Sequence, residues 1–132
     1  MKTVTDFLHI VLKQSHQALK KNEIPVGAVI YDPKKMILIS QAHNKEASSV
    51  DPTSHAEILC IRKACKKLNQ KRLDGFSMIT YLEPCDMCKE VIKSARIKEV
   101  KFIFENQNPS RKTIKKIFYE KLETNDENLV KL

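Results

Sequence analysis

Cys85-Asp86-Met87-Cys88 stands where an apolar stretch, Met78-Ile79-Thr80-Tyr81-Leu82, gives way through Glu83-Pro84 to a helical pattern. A CxxC at a strand-to-helix junction suits two chemistries, a zinc site or a thioredoxin-like redox pair, because helix N-terminal amides stabilise thiolates. A zinc ribbon needs a second CxxC, and Cys60 and Cys65, five apart within a helical pattern, cannot supply it. Those two read as core cysteines. Upstream, His55-Ala56-Glu57 follows another loop-to-helix junction. If the two helices pack side by side on one sheet face, their N-termini converge. His55, Cys85 and Cys88 then supply three ligands that suit zinc and leave a fourth position for water. Glu57 stands beside that water without being a ligand. Zinc lowers the pKa of its water to roughly 7, so zinc-bound hydroxide is available, and a neighbouring carboxylate can collect and return the proton. Hydrolytic attack is the chemistry this set supports. Alone, the histidine would read as a helix cap and the glutamate as a complement to the helix dipole; the joint pattern is far more specific.

These residues need a scaffold, and the hydropathy pattern supplies one. From Thr3 to about Lys20, Val4, Phe7, Leu8, Val11, Leu12, Ala18 and Leu19 recur at helical steps, with Thr3 or Thr5 as cap. Val26 to Tyr31 and Met36 to Ile39 flank Asp32-Pro33-Lys34-Lys35, the pattern of an antiparallel hairpin. Asn44 to Thr53 is polar and reads as loop. Ile58, Ile61, Cys65 and Leu68 then mark a second helix with Arg62, Lys63, Lys66 and Lys67 outward. After the strand at 78–82, Cys85 to Arg96 is helical through Met87, Val91, Ile92 and Ala95, and Val100 to Phe104 is a strand. Lys112 to Leu122 is predicted as a last helix through Ile114, Ile117, Phe118 and Leu122, followed by an acidic tail at Asp126-Glu127. Later strands that alternate with helices should be parallel.

With 132 residues, one domain spanning 1–132 is expected, and 42% hydrophobic residues suffice for a core without a metal. Only Gly27 and Gly75 occur, which excludes glycine-rich phosphate loops of the P-loop or dinucleotide type. No run of about 18 apolar residues and no signal-peptide pattern appears, so a cytoplasmic protein without a membrane partner is expected. The net charge of +8 attracts polyanions. Of the 24 basic residues, however, only Arg62, Arg72, Arg96 and Arg111 are arginines, the better bidentate phosphate readers.

His-Ala-Glu followed by Pro-Cys-x-x-Cys resembles the zinc-dependent cytidine deaminase superfamily. Within it, Ile24-Pro25-Val26-Gly27-Ala28-Val29, Asn44 with Asp51-Pro52-Thr53-Ser54-His55-Ala56-Glu57, and Leu82-Glu83-Pro84-Cys85-Asp86-Met87-Cys88 resemble bacterial tRNA-specific adenosine deaminases, over about residues 4 to 104. The resemblance implies a three-layer α/β/α fold around a five-stranded mixed sheet, a homodimer, and conversion of adenosine to inosine at the wobble position of a tRNA anticodon stem-loop. It implies one zinc per chain on His55, Cys85 and Cys88, with Glu57 as proton shuttle. It further implies that Asn44 hydrogen-bonds the target base, Val26 forms an apolar wall and the Ala56 amide faces the base.

The chain departs from that family in two places. Its glycine-rich run after the last core strand is replaced by Ile103-Phe104-Glu105-Asn106-Gln107-Asn108-Pro109-Ser110, with Asn106 near an expected aspartate, and Lys89-Glu90 replace small residues after the second cysteine. Deamination of a free base or nucleoside (cytosine, cytidine or guanine) therefore stays open beside the RNA reading. From other classes, a thiol-disulfide oxidoreductase on Cys85 and Cys88 and a silent RNA-binding subunit also remain, the latter leaving Glu57 without a purpose.

Overall fold

The structure, a computed structural model, describes residues 2–106 and 118–122. Its first element, α1 (Val4–Lys20), is capped by Thr3: the Thr3 hydroxyl accepts from the Asp6 amide at 3.3 Å, and the Asp6 carboxylate accepts from the Thr3 amide at 2.7 Å. Phe7, Val11 and Ala18 are buried on its inner face, whereas Leu19, at the end of the predicted stripe, is exposed. Strands β1 (Gly27–Asp32) and β2 (Ile37–His43) form the expected antiparallel hairpin. Its turn is closed by the Asp32 carboxylate, which accepts from the amides of Lys34 and Lys35 at 2.9 and 3.1 Å.

The chain continues through α2 (Glu46–Ser49), α3 (Ala56–Leu68), β3 (Ser77–Leu82), α4 (Asp86–Ala95), β4 (Glu99–Phe104) and β5 (Phe118–Lys121). The five strands make one mixed sheet in the order β2-β1-β3-β4-β5. The β1 pairings are antiparallel, and β3, β4 and β5 run parallel to one another. On one face, α1 stacks Phe7 on Tyr31 with ring centroids 4.6 Å apart. It also crosses β1 closely at Gly27, where a Cβ would lie 2.5 Å from the Val11 carbonyl oxygen. On the other face α3 and α4 lie side by side, with the Ser40 hydroxyl donating to the Cys60 carbonyl at 2.9 Å. This is the α/β/α layering that places two helix N-termini together at the ends of β1 and β3. None of the described helices is long and apolar enough to cross a membrane.

Four expectations need correction. Residues 118–121 of the predicted last helix form β5; residues 112–117 and the acidic tail lie outside the described residues. The spacing of Ile114, Ile117, Phe118 and Leu122 matched a helix, but the outer edge of β4 offers unpaired backbone groups, which aromatic residues such as Phe118-Tyr119 fit as strand. The Leu122 amide donates to the Phe102 carbonyl at 2.7 Å. Second, the polar stretch after Asn44 contains the single turn α2. It is capped from a distance by the Glu23 carboxylate, which accepts from the Ala47 and Ser48 amides at 2.7 and 3.2 Å. Third, Cys65 is only half-buried, whereas Cys60 is in the core. Fourth, α4 is rotated from the predicted face: Met87 is 37% exposed while Lys89 is 3% exposed. The turn of the helix that carries Cys88 inward takes Lys89 with it.

Candidate active site

His55 and Cys85 are the N-cap residues of α3 and α4, yet neither side chain caps its own helix. Both turn into the gap between the helices. The His55 Nδ1 lies 3.5 Å from the Cys85 Sγ and 3.3 Å from the Cys88 Sγ. One ligand atom from each of the three residues falls within 4.8 Å of the others. The loop before His55 is shaped by Asp51, whose carboxylate accepts from the Thr53 amide at 2.8 Å, the Thr53 hydroxyl at 2.7 Å and the Ser54 hydroxyl at 3.1 Å. The Thr53 amide is the main cause of an Asp51 carboxyl held below the usual range.

The electrostatics of the trio match its geometry. A hydrogen bond from Cys88 is the largest influence on the Cys85 thiol, which falls to about 5 against the opposing effect of burial, helped by the Cys88 amide and by His55. Cys88, donor in that bond and buried, moves strongly upward. A thiolate is thus present at neutral pH at a helix N-terminus. Two sulfurs and one imidazole nitrogen, gathered this closely with one thiol already acidic, are a donor set that fits zinc.

Glu57, in the first turn of α3, is 4% exposed and stands outside the ligand trio. Desolvation pushes its carboxyl up to about 7, with Cys85 adding to the rise and its own amide and Cys88 opposing it. Such a group exchanges a proton near neutrality.

A cleft of about 170 Å³ opens onto His55, Glu57 and Cys85. Val26, Asn44 and Ala56 line it, and the buried Cys88 joins them through His55, 3.3 Å away, so the structure brings together the residues singled out from sequence. Asn44 is fixed through the backbone, its amide donating to the Val26 carbonyl at 3.0 Å. As the first residue of α3, Ala56 has an amide with no acceptor inside the helix. Sequence reading missed Glu46 and gave Glu83 no role, although both line the cleft with Asn106. Glu46 Oε1 lies 3.2 Å from His55 Nε2 and accepts from the Asn44 Nδ2 at 3.0 Å. The only signal available for Glu46 was an acidic residue two positions after Asn44. Glu83 accepts from the Asn106 amide at 3.2 Å and thereby fixes the position of Asn106 at the rim of the cleft.

A five-stranded mixed sheet between helical layers, with a histidine and two cysteines meeting at two helix N-termini, defines an α/β/α protein with a donor set that fits zinc. The agreement extends along the sequence. The chain belongs to the cytidine and deoxycytidylate deaminase zinc-binding family, whose profile matches residues 1–104. It is 44% identical over 96 residues to a tRNA-specific adenosine deaminase of Aquifex aeolicus, covering 73% of this chain and 62% of that relative. It is also 44% identical over 82 residues to a guanine deaminase of Bacillus subtilis, covering 62% of this chain and 51% of the relative. The chain thus spans between half and two thirds of the length of these relatives. A solved structure from work on adenosine-to-inosine editing by tRNA deaminases at the wobble position of transfer RNA superposes with a TM-score of 0.76 at 29% identity, over 87% of this chain and 97% of that one.

Proposed function

We propose that the protein is a zinc-dependent hydrolase that deaminates adenosine to inosine at the wobble position of a tRNA anticodon stem-loop. The observation that carries this reading is Glu57, buried in the cleft beside the His55, Cys85 and Cys88 trio but not part of it. His55, Cys85 and Cys88 would hold zinc, which would supply a water acidified to a pKa of roughly 7 and so nucleophilic at neutral pH. Glu57 would collect a proton from the attacking water and return it to the departing amine, so that water and adenosine would become inosine and ammonia. The Ala56 amide, with no acceptor in its helix, meets the base edge. Val26 and Ile24 supply an apolar wall against the ring, and Asn44 reads its polar edge. A dry site with fixed polar readers discriminates strongly, because the wrong base leaves them unpaired.

The similarity to tRNA-specific adenosine deaminases and the charge of +8 support an RNA substrate. The second reading, deamination of a free purine base, is favoured by the similarity to a guanine deaminase and by the segment after Phe104 without glycine. The metal trio and the family favour deamination over thiol-disulfide exchange. A homodimer, a single domain and a cytoplasmic location belong to the same proposal, on the family resemblance alone. Incubation with anticodon stem-loops carrying a wobble adenosine, and separately with guanine, adenosine, cytosine and cytidine, tests the reading. Inosine in the stem-loop is the expected product. Ammonia from a free base with no inosine in any stem-loop overturns the RNA reading, and a metal-free protein that reduces insulin overturns the deaminase.

A further inference from the structure

Glu46 occupies a position that neither the metal trio nor the proposed proton transfer explains. One oxygen of its carboxylate, Oε1, meets two groups of the cleft at once: His55 Nε2 at 3.2 Å and Asn44 Nδ2 at 3.0 Å. The other nitrogen of the same imidazole, Nδ1, is the one that faces Cys85 and Cys88. With Nε2–H donating to the carboxylate, the Nδ1 lone pair is left pointing at the sulfurs, the tautomer a metal needs. The same carboxylate holds the Asn44 amide, and the ring closes because the Glu46 amide donates to Asn44 Oδ1 at 2.9 Å.

Glu46 is itself held from two directions. Behind it, the Glu23 carboxylate binds the Ala47 and Ser48 amides and the Ser48 hydroxyl at 2.7, 3.2 and 3.1 Å. Beyond it, the Asp51 amide donates to the Glu46 carbonyl at 3.0 Å, which ties α2 to the loop leading into His55. A one-turn helix that contributes no buried residue to the core is therefore anchored by seven hydrogen bonds or ion pairs to the cleft and its surroundings, and its first side chain faces the cleft.

We propose that Glu46 is a positioning residue that acts through His55 and Asn44, orienting the ligand imidazole and the base-reading amide with one carboxylate oxygen. The proposal rests on the zinc-deaminase reading above. Groups that orient a ligand histidine are typically worth 10- to 100-fold in metal affinity or activity.

The test compares wild type, Glu46→Ala and Glu46→Gln by three readouts: zinc affinity in competition with a chromophoric chelator, the visible spectrum of the Co2+-substituted protein, and kcat and KM on an anticodon stem-loop. Glu46→Ala is expected to weaken zinc about 10- to 100-fold, shift the Co2+ bands and raise KM through the released Asn44. Glu46→Gln keeps an oxygen acceptor and is expected to recover most of the zinc affinity and the spectrum. Zinc affinity within twofold of wild type in Glu46→Ala, with an unchanged Co2+ spectrum, overturns the proposal, as does a Gln variant no better than Ala. Wild-type protein that binds zinc yet deaminates nothing would sink the functional reading, while the metal affinity and spectrum would still decide the role of Glu46.

Discussion

Lys89 reaches beneath the loop that carries Cys85 and places its Nζ 3.4 Å from Glu83 Oε2, although only 3% of the lysine side chain is exposed. The ring of Tyr119 on β5 covers the ammonium, its centroid 5.2 Å away. The pair therefore links α4, the metal-holding loop and the outermost parallel strand, while the other Glu83 oxygen holds the Asn106 amide.

Removing one member of a buried pair leaves a charge without compensation. Lys89→Met should destabilise the protein by about 2–3 kcal/mol, below the roughly 3–5 kcal/mol of fully buried pairs because Glu83 keeps partial access to water. Adding Glu83→Gln removes the stranded charge and should restore most of that loss. Denaturant unfolding of the two singles and the double gives the coupling directly. Strictly additive effects would mean that the two side chains do not interact.

Glu57 carries a conflict between stability and chemistry. Its carboxyl, pushed up to about 7 by burial, is neutral in the folded metal-free protein at pH values where the unfolded chain, near 4.5, has already ionised. Below the unfolded value both states hold the proton and nothing is lost. As pH rises through this window, ionisation favours the unfolded state, and above about 7 the loss is complete, amounting to about 3 kcal/mol. Metal-free Glu57→Gln should therefore be more stable than wild type at pH 8, with the gain vanishing below pH 4.5. The same variant should keep zinc and lose about 100- to 10,000-fold in turnover. Loss of zinc from it would show that Glu57 is a ligand.

The zinc trio was legible in the sequence because its members sit at helix starts, and helix starts can be read locally: His55 and Cys85 each precede an amphipathic run, and Cys88 follows one turn into α4. The hairpin was legible for the same reason, its turn being made by Asp32 on its own neighbours. What stayed hidden depends on partners far along the chain. Strand β5 exists because β4 has a free edge, a fact of topology that leaves no trace in the spacing of Ile117 and Phe118. The turn at Glu46 is capped by Glu23 across 24 residues. Burial of Lys89 follows from a carboxylate that precedes the metal loop, and a lysine on a helix reads as a solvated face until that partner is placed.

Zinc should stabilise the fold that presents its ligands. Metal that binds only the folded protein adds about 2.7 kcal/mol at a free concentration of 100 times Kd. A chelator should accordingly lower the Tm of the zinc-loaded protein. Cys85→Ser should weaken zinc and lower the Tm in added zinc, because the acidic thiolate at the start of α4 is gone. Calorimetry alongside metal analysis checks both. An unchanged Tm and metal content in Cys85→Ser would exclude Cys85 from the ligand set.

The two glycines should fail for different reasons when a side chain is added. Gly75 has φ +83° and open space around its missing Cβ. Gly75→Ala should therefore cost roughly 1–2 kcal/mol in backbone strain, and Gly75→Asn should recover part of it, since asparagine tolerates the left-handed region. Gly27 faces crowding instead. Its Cβ would lie 2.5 Å from the Val11 carbonyl oxygen and 2.8 Å from the Ser15 amide nitrogen, backbone atoms that move only if α1 lifts from the sheet. Gly27→Ala should lose roughly 1–3 kcal/mol or more as overpacking, and asparagine should be worse than alanine there. Because Val26 precedes Gly27 and lines the cleft, displacing α1 should also raise KM for the base. Urea unfolding of all four variants, with kinetics for the two at Gly27, separates strain from collision. If asparagine rescues Gly27 as it rescues Gly75, the close crossing of α1 over β1 is not what requires glycine there.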